Sequence, residues 1–401
     1  MEFGIPAEVE ALRRQVAAFV EARILPHETR AESWDAHGNI AEAPLAELRE
    51  AARAAGLWAF QVPWEGRPAL PFVAQAVLYE AANRSIFGPV CFNIAAPDDG
   101  NMRLIETVGT EAQKARWLAP IVAGDARSAF AMTEPAPGGG SDPTMIATRA
   151  EKRGDRYLVT GRKWFVTGAG VADHFILIAR SSDDPRRGLS AFLFHRDQPG
   201  WRIARRIGSM GPEEHGGHCE LEFDGLEIPE ENLLMSEGDG LKLTQIRLGP
   251  ARLTHCMRWL GLARRCLEIA GDYAATREGF GVRLADRESV QMMLGEVAMG
   301  IEVGRLLVMK AAWALDRGER AQKEVSMAKV QVAALLHKAA DVAIQVNGAR
   351  GYSTDTVLEW IYRYARQARL VDGADAVHMM LLHRALADEG REFWRWPVAS
   401  G

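Results

Sequence analysis

The chain has 401 residues, long enough for two or three packed units. Its 48% hydrophobic and 25% charged residues are those of a soluble globular protein. A net charge of −5 with both signs interspersed excludes a strongly basic nucleic-acid surface, and no apolar run is long enough to span a bilayer.

Residues 1–128 read as helices. The opening M-E-F-G-I-P-A-E lacks a cationic segment followed by an apolar core, so no signal peptide is expected. Val9, Leu12, Val16, Phe19 and Val20 recur at helical spacing, and Pro26 closes that helix. Leu45, Leu48, Ala52 and Ala55 repeat the pattern, with Gly56 as its stop. Residues 72–82 form a near-continuous apolar helix, buried on most faces. The polar run at 90–102, V-C-F-N-I-A-A-P-D-D-G-N-M, reads either as a capped turn before a helix with Leu104 and Ile105, or as the lining of a pocket.

At 129–143 the composition shifts, with A-F-A-M-T-E-P-A-P-G-G-G-S-D-P. A glycine run exposes backbone N–H groups to a ligand, while the plainer reading is a surface connector. Residues 156–235 change period to short β-rich runs divided by Gly, Asp and Pro, a compact antiparallel unit. Cys219, Leu221 and Phe223 alternate with polar neighbours as in a half-buried strand. Gly168-Ala-Gly170 is not a dinucleotide fingerprint, because Asp173 breaks it and no parallel βαβ unit follows.

From Gly240 the helical period returns, with long apolar stripes from Val290 to Val308 and from Met327 to Ile344, as in an antiparallel bundle. Cys91, Cys219, Cys256 and Cys266 show no C-x-x-C spacing, which favours a reducing cytoplasm and no metal site. The terminal R-E-F-W-R-W-P-V is expected to dock on the same protein or on a second subunit. The fold class is thus α+β and mostly α: an N-terminal helical domain over 1–128, a central antiparallel, barrel-like β domain over 129–236, and a C-terminal four-helix bundle over 237–401.

Four motifs in this order resemble the acyl-CoA dehydrogenase family, and the resemblance covers nearly the whole chain. They are A-M-T-E-P with G-S-D at 131–142, R-K-W-F-V-T at 162–167, R-E-G-F-G at 277–281 and Q-V-N-G at 345–348. More narrowly, F-N-I-A-A-P-D-D-G-N-M and R-L-V-D-G-A-D-A-V-H look like the subfamily whose eukaryotic members carry additional kinase-like domains, which this chain is too short to contain.

The resemblance implies FAD as cofactor and an acyl-CoA thioester, or an acyl-carrier thioester, as substrate. Removing two hydrogens across Cα–Cβ needs a base for the α-proton and an acceptor for the β-hydride, a task for flavin N5. Aligning V-D-G-A-D-A-V-H with the family's base segment puts Asp372 in the base position; in isolation Asp372 also reads as a helix N-cap, and Asp375 as a first-turn carboxylate. Ala251 stands where other relatives carry the base, and Arg252 matches an arginine near it. Phe130, Met132, Thr133, Phe165 and Thr167 are implied to contact the flavin ring system. Ser141 is implied to touch both the flavin phosphate and the pantetheine. Arg277, Phe280, Gln345 and Gly348 are implied to reach the adenosine diphosphate half of a flavin bound by a neighbouring subunit, hence a homo-oligomer, dimer or tetramer. Trp58, Phe92, Asn93 and Asp98 suggest a substrate pocket with polar groups. An electron-transferring flavoprotein is the expected electron acceptor. The alternative outcome on the same scaffold is an oxidase or flavin monooxygenase.

Overall fold

The computed structural model describes residues 4–185 and 187–394. The chain divides into two compact units: Met1–Trp58, Leu70–Phe92 and Arg252–Gly401 make one, and Ala59–Ala69 with Asn93–Ala251 make the other. The class is the expected one, helices flanking a central sheet in chain order.

The first unit is helical. Helix α1 (Ala7–Phe19) starts with Glu8 and Glu10 in its first turn, where carboxylates suit the helix dipole. It continues through a π-helical turn, Val20–Ile24, into a 3-10 turn, Leu25–Thr29, that takes up Pro26. Helix α2 (Glu42–Ala54) buries Leu45, Leu48 and Ala52 at three- and four-residue spacing. In α3 (Phe72–Ala82) eight of the 11 residues are buried, which accounts for its nearly unbroken apolar sequence. The long helices follow: α4 (Gly240–Thr276, of which 252–276 lie in this unit), α5 (Glu288–Asp316), α6 (Gln322–Asn347), α7 (Leu358–Ala368) and α8 (Asp375–Glu389). Helix α6 is central, with 14 of its 26 residues buried, and packs against α5, α7 and α8. Gly261 of α4 passes so close to α3 that a side chain there would meet the backbone of Glu80 and Asn83. Trp394 is 73% exposed, and the remainder of the Trp-rich terminus, Trp396 included, lies outside the described residues.

The second unit is built on a sheet of β1 (Ser128–Ala131), β2 (Arg149–Arg153), β3 (Arg156–Thr167), β4 (His174–Arg180), β5 (Leu189–His195), β6 (Trp201–Arg206), β7 (His218–Pro229) and β8 (Leu233–Leu234). The order is β6-β7-β3-β2-β4-β5-β8, with β1 beside β4. The sheet is antiparallel except where β4 pairs in parallel with β1 and, at one position, with β2. A parallel pair needs a long connection, and the β2–β3 hairpin supplies it. Val159, Val166, Phe175, Phe192, Phe194 and Leu221 lie in the core of this unit.

Two local expectations change. Strand β7 buries Cys219, Leu221 and Phe223 as expected, but it also buries His218 and Glu220, because β7 runs between β3 and β6 and Arg162 and Arg205 cover Glu220. The run at 90–102 keeps its turn over residues 92–97, but the helix that follows starts earlier than Leu104, at Asp98, so Asp98, Asp99 and Asn101 sit in its first turns.

Candidate functional site

In the second unit, the loop after β1 is welded to β3. Lys163 is fully buried, yet its Nζ donates to Glu134 Oε1 at 2.7 Å and to the Met132 carbonyl at 2.8 Å. Glu134 also accepts from the backbone N–H of Ala147 at 2.7 Å and of Thr148 at 2.9 Å. A charge this deep is tolerable only when paired and hydrogen-bonded. Burial pushes the Lys163 ammonium down to about 8; the Glu134 carboxyl sits below its usual range because Lys163 outweighs its own desolvation. Thr133 Oγ1 donates to the Trp164 carbonyl at 2.7 Å, and Trp164 N–H donates back to the Thr133 carbonyl at 2.9 Å.

These bonds fix the loop beside a β-bulge. The pairing of β3 with β7 shifts register between Lys163 and Val166, and Phe165 takes φ +48° there. Positive φ is costly for a bulky aromatic residue, and here it leaves the ring 47% exposed. Trp164 lies edge-on to it at 5.0 Å, and His218 at 5.9 Å. Thr167 Oγ1 lies 3.1 Å from His218 Nδ1. Thus Met132, Thr133, Phe165 and Thr167 belong to one small patch. Phe130, one residue before the end of β1, carries the Arg247 guanidinium over its ring at 4.6 Å. The glycine run has a structural part: a side chain at Gly138 would strike Glu134, and one at Gly139 would lie 2.7 Å from Ile146 Cγ1, whereas Gly140 faces open space. Ser141 is exposed, just before Asp142, whose carboxylate turns back onto Thr144 N–H at 2.9 Å.

In the first unit, Asp372 occupies the turn between α7 and α8. Asp372 has φ +52° and Gly373 φ +97°. Aspartate tolerates this region better than most residues, and the turn is held on several sides. The Asp372 carbonyl accepts from Arg252 Nε at 2.7 Å and faces His378 Nε2 at 3.3 Å. His378 is fully buried, with Nδ1 3.0 Å from Ser326 Oγ. A carbonyl only accepts, so His378 carries its hydrogen on Nε2 and accepts the Ser326 hydroxyl on Nδ1. Burial, then Arg252 and Lys329, hold the His378 imidazole down at about 4. The cap of α8 is Ala374, so Asp372 is not an N-cap, while Asp375 does lie in the first turn. Asp375 ties the turn shut by accepting from Lys329 Nζ at 3.0 Å and Arg369 Nε at 2.7 Å. The Asp372 side chain is 17% exposed, and its Oδ2 lies 3.2 Å from His255 Nε2.

The remaining expected residues are scattered. Arg277 and Phe280 lie on an exposed hairpin of the first unit; Phe280 has φ +53°, and its ring stands in the open near the Arg287 guanidinium at 5.8 Å. Gln345 and Gly348 are exposed at the end of α6. Phe92, Asn93 and Asp98, expected at a polar substrate pocket, are buried and engaged in internal contacts. Asp98 is 1% exposed, and its oxygens accept from Ser128 N–H and Oγ, both at 2.7 Å, and from Arg127. Asn93 donates to the Ile121 carbonyl at 2.9 Å, and its own carbonyl accepts from Gln61 at 2.8 Å. Phe92 is wholly buried against Phe19, and Trp58 is likewise buried. Glu134, Lys163, His255 and His378 escaped the sequence reading. Glu134, Lys163 and His378 stood inside quoted motifs, but nothing in their spacing announced their partners.

Models of the acyl-CoA dehydrogenase N-terminal, middle and C-terminal domains match residues 6–125, 129–226 and 238–387. Consecutive matches over this helix–sheet–helix order define a flavoprotein class, and the chain belongs to the acyl-CoA dehydrogenase family. It is 37% identical over 394 residues to acyl-CoA dehydrogenase family member 11 of Gallus gallus, covering 94% of this chain and 50% of that one. The chain therefore spans about half the length of that relative, which belongs to the subfamily expected from residues 92–102 and 369–378. FadE2 of Mycobacterium tuberculosis, whose name places it in the same family, is 35% identical over 396 residues, 96% of this chain and 97% of its own. Among solved structures, the glutaryl-coenzyme A dehydrogenase complex with glutaryl-CoA shares 28% identity at a TM-score of 0.85, covering 100% of both chains.

Proposed function

We propose that this chain is an FAD-dependent acyl-CoA dehydrogenase in which Asp372 abstracts the α-proton of the thioester. One observation carries the assignment: a carboxylate only 17% exposed sits on a strained turn whose carbonyl is gripped by Arg252 from another helix. A surface carboxylate needs no such frame; a base that must meet one C–H bond does.

The residues of the β1–β3 patch fit a flat cofactor. Phe165 offers an exposed ring on a bulge, with Thr133 and Thr167 hydroxyls alongside. In this reading Phe165 stacks on the ring system, Met132, Thr133, Thr167 and Phe130 border it, and Ser141 reaches the pyrophosphate and pantetheine. Bound FAD would supply the acceptor for the β-hydrogen. Asp372 takes the α-proton onto its carboxylate, and Arg252 keeps that carboxylate in place through the main chain. Arg277, Phe280, Gln345 and Gly348 would serve the flavin of a second copy. A homo-oligomer also suits α5, where Met292, Met299, Val303 and Leu306 form one exposed apolar stripe. An electron-transferring flavoprotein completes the cycle, and the cytoplasm is the proposed location.

The test is anaerobic mixing of the purified yellow protein with straight-chain, branched and hydroxylated acyl-CoA thioesters, following loss of flavin colour. Bleaching by a subset, with enoyl-CoA as product, is expected. A protein that takes up no FAD, or Asp372→Asn protein that turns over normally, would sink the proposal. Oxygen consumption without transfer to an artificial acceptor would indicate the oxidase instead.

A further inference from the structure

His255 has no part in the chemistry above, yet it touches the group that does. It stands on α4 three residues after Arg252, so the two side chains leave one face of the helix. Arg252 takes the Asp372 carbonyl, and His255 brings Nε2 to 3.2 Å from Asp372 Oδ2, an ion-pair distance at which the two atoms do not yet make a hydrogen bond. The imidazole is 11% exposed and stacks on Trp259, one turn further along, at 5.2 Å and 30°. Its Nδ1 is buried with no hydrogen-bond partner. A carboxylate only accepts, so an attractive approach requires the hydrogen on Nε2, which leaves Nδ1 as the lone-pair nitrogen. A histidine kept for packing would not leave one nitrogen orphaned and aim the other at a carboxylate.

We propose that His255 is a positioning residue for Asp372: its Nε2–H holds the carboxylate in one orientation and closes onto it when substrate is bound. Catalytic hydrogen bonds are often long in the free protein and tighten in the complex. The proposal rests on Asp372 being the base. His255 does not relay the proton, because Nδ1 has no group to pass it to; the α-proton stays on Asp372. The other charged or titratable groups around the turn are Arg252 and Cys256 from α4, Asp375 and the neutral His378 from α8, Lys329 from α6 and Arg369 after α7, with Asp375 neutralised by the last two.

Two substitutions separate position from packing. The amide nitrogen of glutamine can occupy the place of Nε2, whereas that of asparagine stops near Nδ1. In FAD-loaded protein carrying 13C-aspartate and saturated with a non-reducible acyl-CoA thioether, the Asp372 carboxylate band is isolated by subtracting the infrared spectrum of Asp372→Asn protein and titrated. His255→Asn is expected to raise the titration midpoint by about one pH unit, because a donor to the charged form is lost, and His255→Gln to restore most of it. With the acyl-CoA that bleaches the flavin best, His255→Asn should slow flavin reduction on the order of tenfold to a hundredfold, with acyl-CoA affinity unchanged. An unmoved midpoint in His255→Asn, or equal shifts in both variants, overturns the proposal. Normal flavin reduction by Asp372→Asn protein would instead remove the base assignment, and the infrared titration would still report whether the pair exists.

Discussion

Phe165 and Asp372 are both non-glycine residues with positive φ, +48° and +52°, and each is held there by its surroundings. Such strain costs about 1–3 kcal/mol and persists only where the fold over-determines it. The two sites use it differently. At Phe165 the strain displays a surface: a bulge in β3 leaves the ring 47% exposed with no polar task of its own. At Asp372 the strain holds a charge: the side chain is 17% exposed, and the carbonyl behind it is taken by Arg252 and faced by His378. A displayed ring asks for a flat partner, and a clamped carboxylate asks for a reactant at a fixed place. In the proposed function, that difference is the one between binding a cofactor and transferring a proton.

The largest effect should come from Asp372→Asn. Flavin reduction by acyl-CoA should fall by about a thousandfold, within the range for losing a general base, while FAD content measured by absorbance stays at the unsubstituted level. Loss of FAD in that variant would erase the distinction between the sites. Next is Lys163→Met, which strands Glu134 in the core. Removing one partner of a buried pair costs about 3–5 kcal/mol, so the urea midpoint should drop sharply, and Lys163→Met with Glu134→Gln should recover much of it. An unchanged midpoint would mean that the pair does not brace the loop. A smaller effect is expected for Phe165→Gly. Glycine adopts positive φ freely, so the FAD-free protein should gain up to about 1 kcal/mol in denaturant unfolding while FAD binds roughly tenfold more weakly. Tighter FAD binding would contradict a stacking role.

The helices were legible because their signals are local. The three- and four-residue spacing of Leu45, Leu48 and Ala52, and the glycine just beyond, announce α2 without any knowledge of its neighbours. Strand β3 was legible as part of the β-rich stretch that starts at 156, but its bulge was not, since a bulge is a mismatch with β7 rather than a property of β3. The same limit governs the sites. Arg252 and Asp372 are 120 residues apart, and only a motif resemblance pointed to both; the histidines that join them carry no spacing signal. Asp98 shows the same limit: a polar run after a buried helix suggested a pocket lining, and nothing local announced that its oxygens accept from Arg127 and Ser128, about thirty residues away. Asp372 read alone as an N-cap because Asp-Gly before an apolar helix is an ordinary cap pattern, and the actual cap lies two residues later at Ala374.

The smallest effect isolates the Asp372 turn by pH. His378 is held at about 4 against an ordinary 6.5, mainly by burial. Below pH 6.5 the unfolded chain binds a proton at this residue, and the folded chain does not until near pH 4. Between those values the unfolded state carries more protons, so the contribution of His378 to stability is fully present above pH 6.5 and is lost as pH falls through about 4. His27 and His174 are also shifted down by burial, so the unsubstituted protein alone does not isolate this turn. His378→Gln does, since the amide can still donate to the Asp372 carbonyl but does not titrate. Urea midpoints of the two proteins should run in parallel above pH 7 and converge or cross as pH drops toward 4, where the unsubstituted protein loses more. A constant offset across the whole range would show that His378 titrates alike in both states. Lys163 titrates outside this window, and the lowered Glu134 carboxyl adds its acid slope to both proteins alike, so the slope removed by His378→Gln belongs to the turn that holds Asp372.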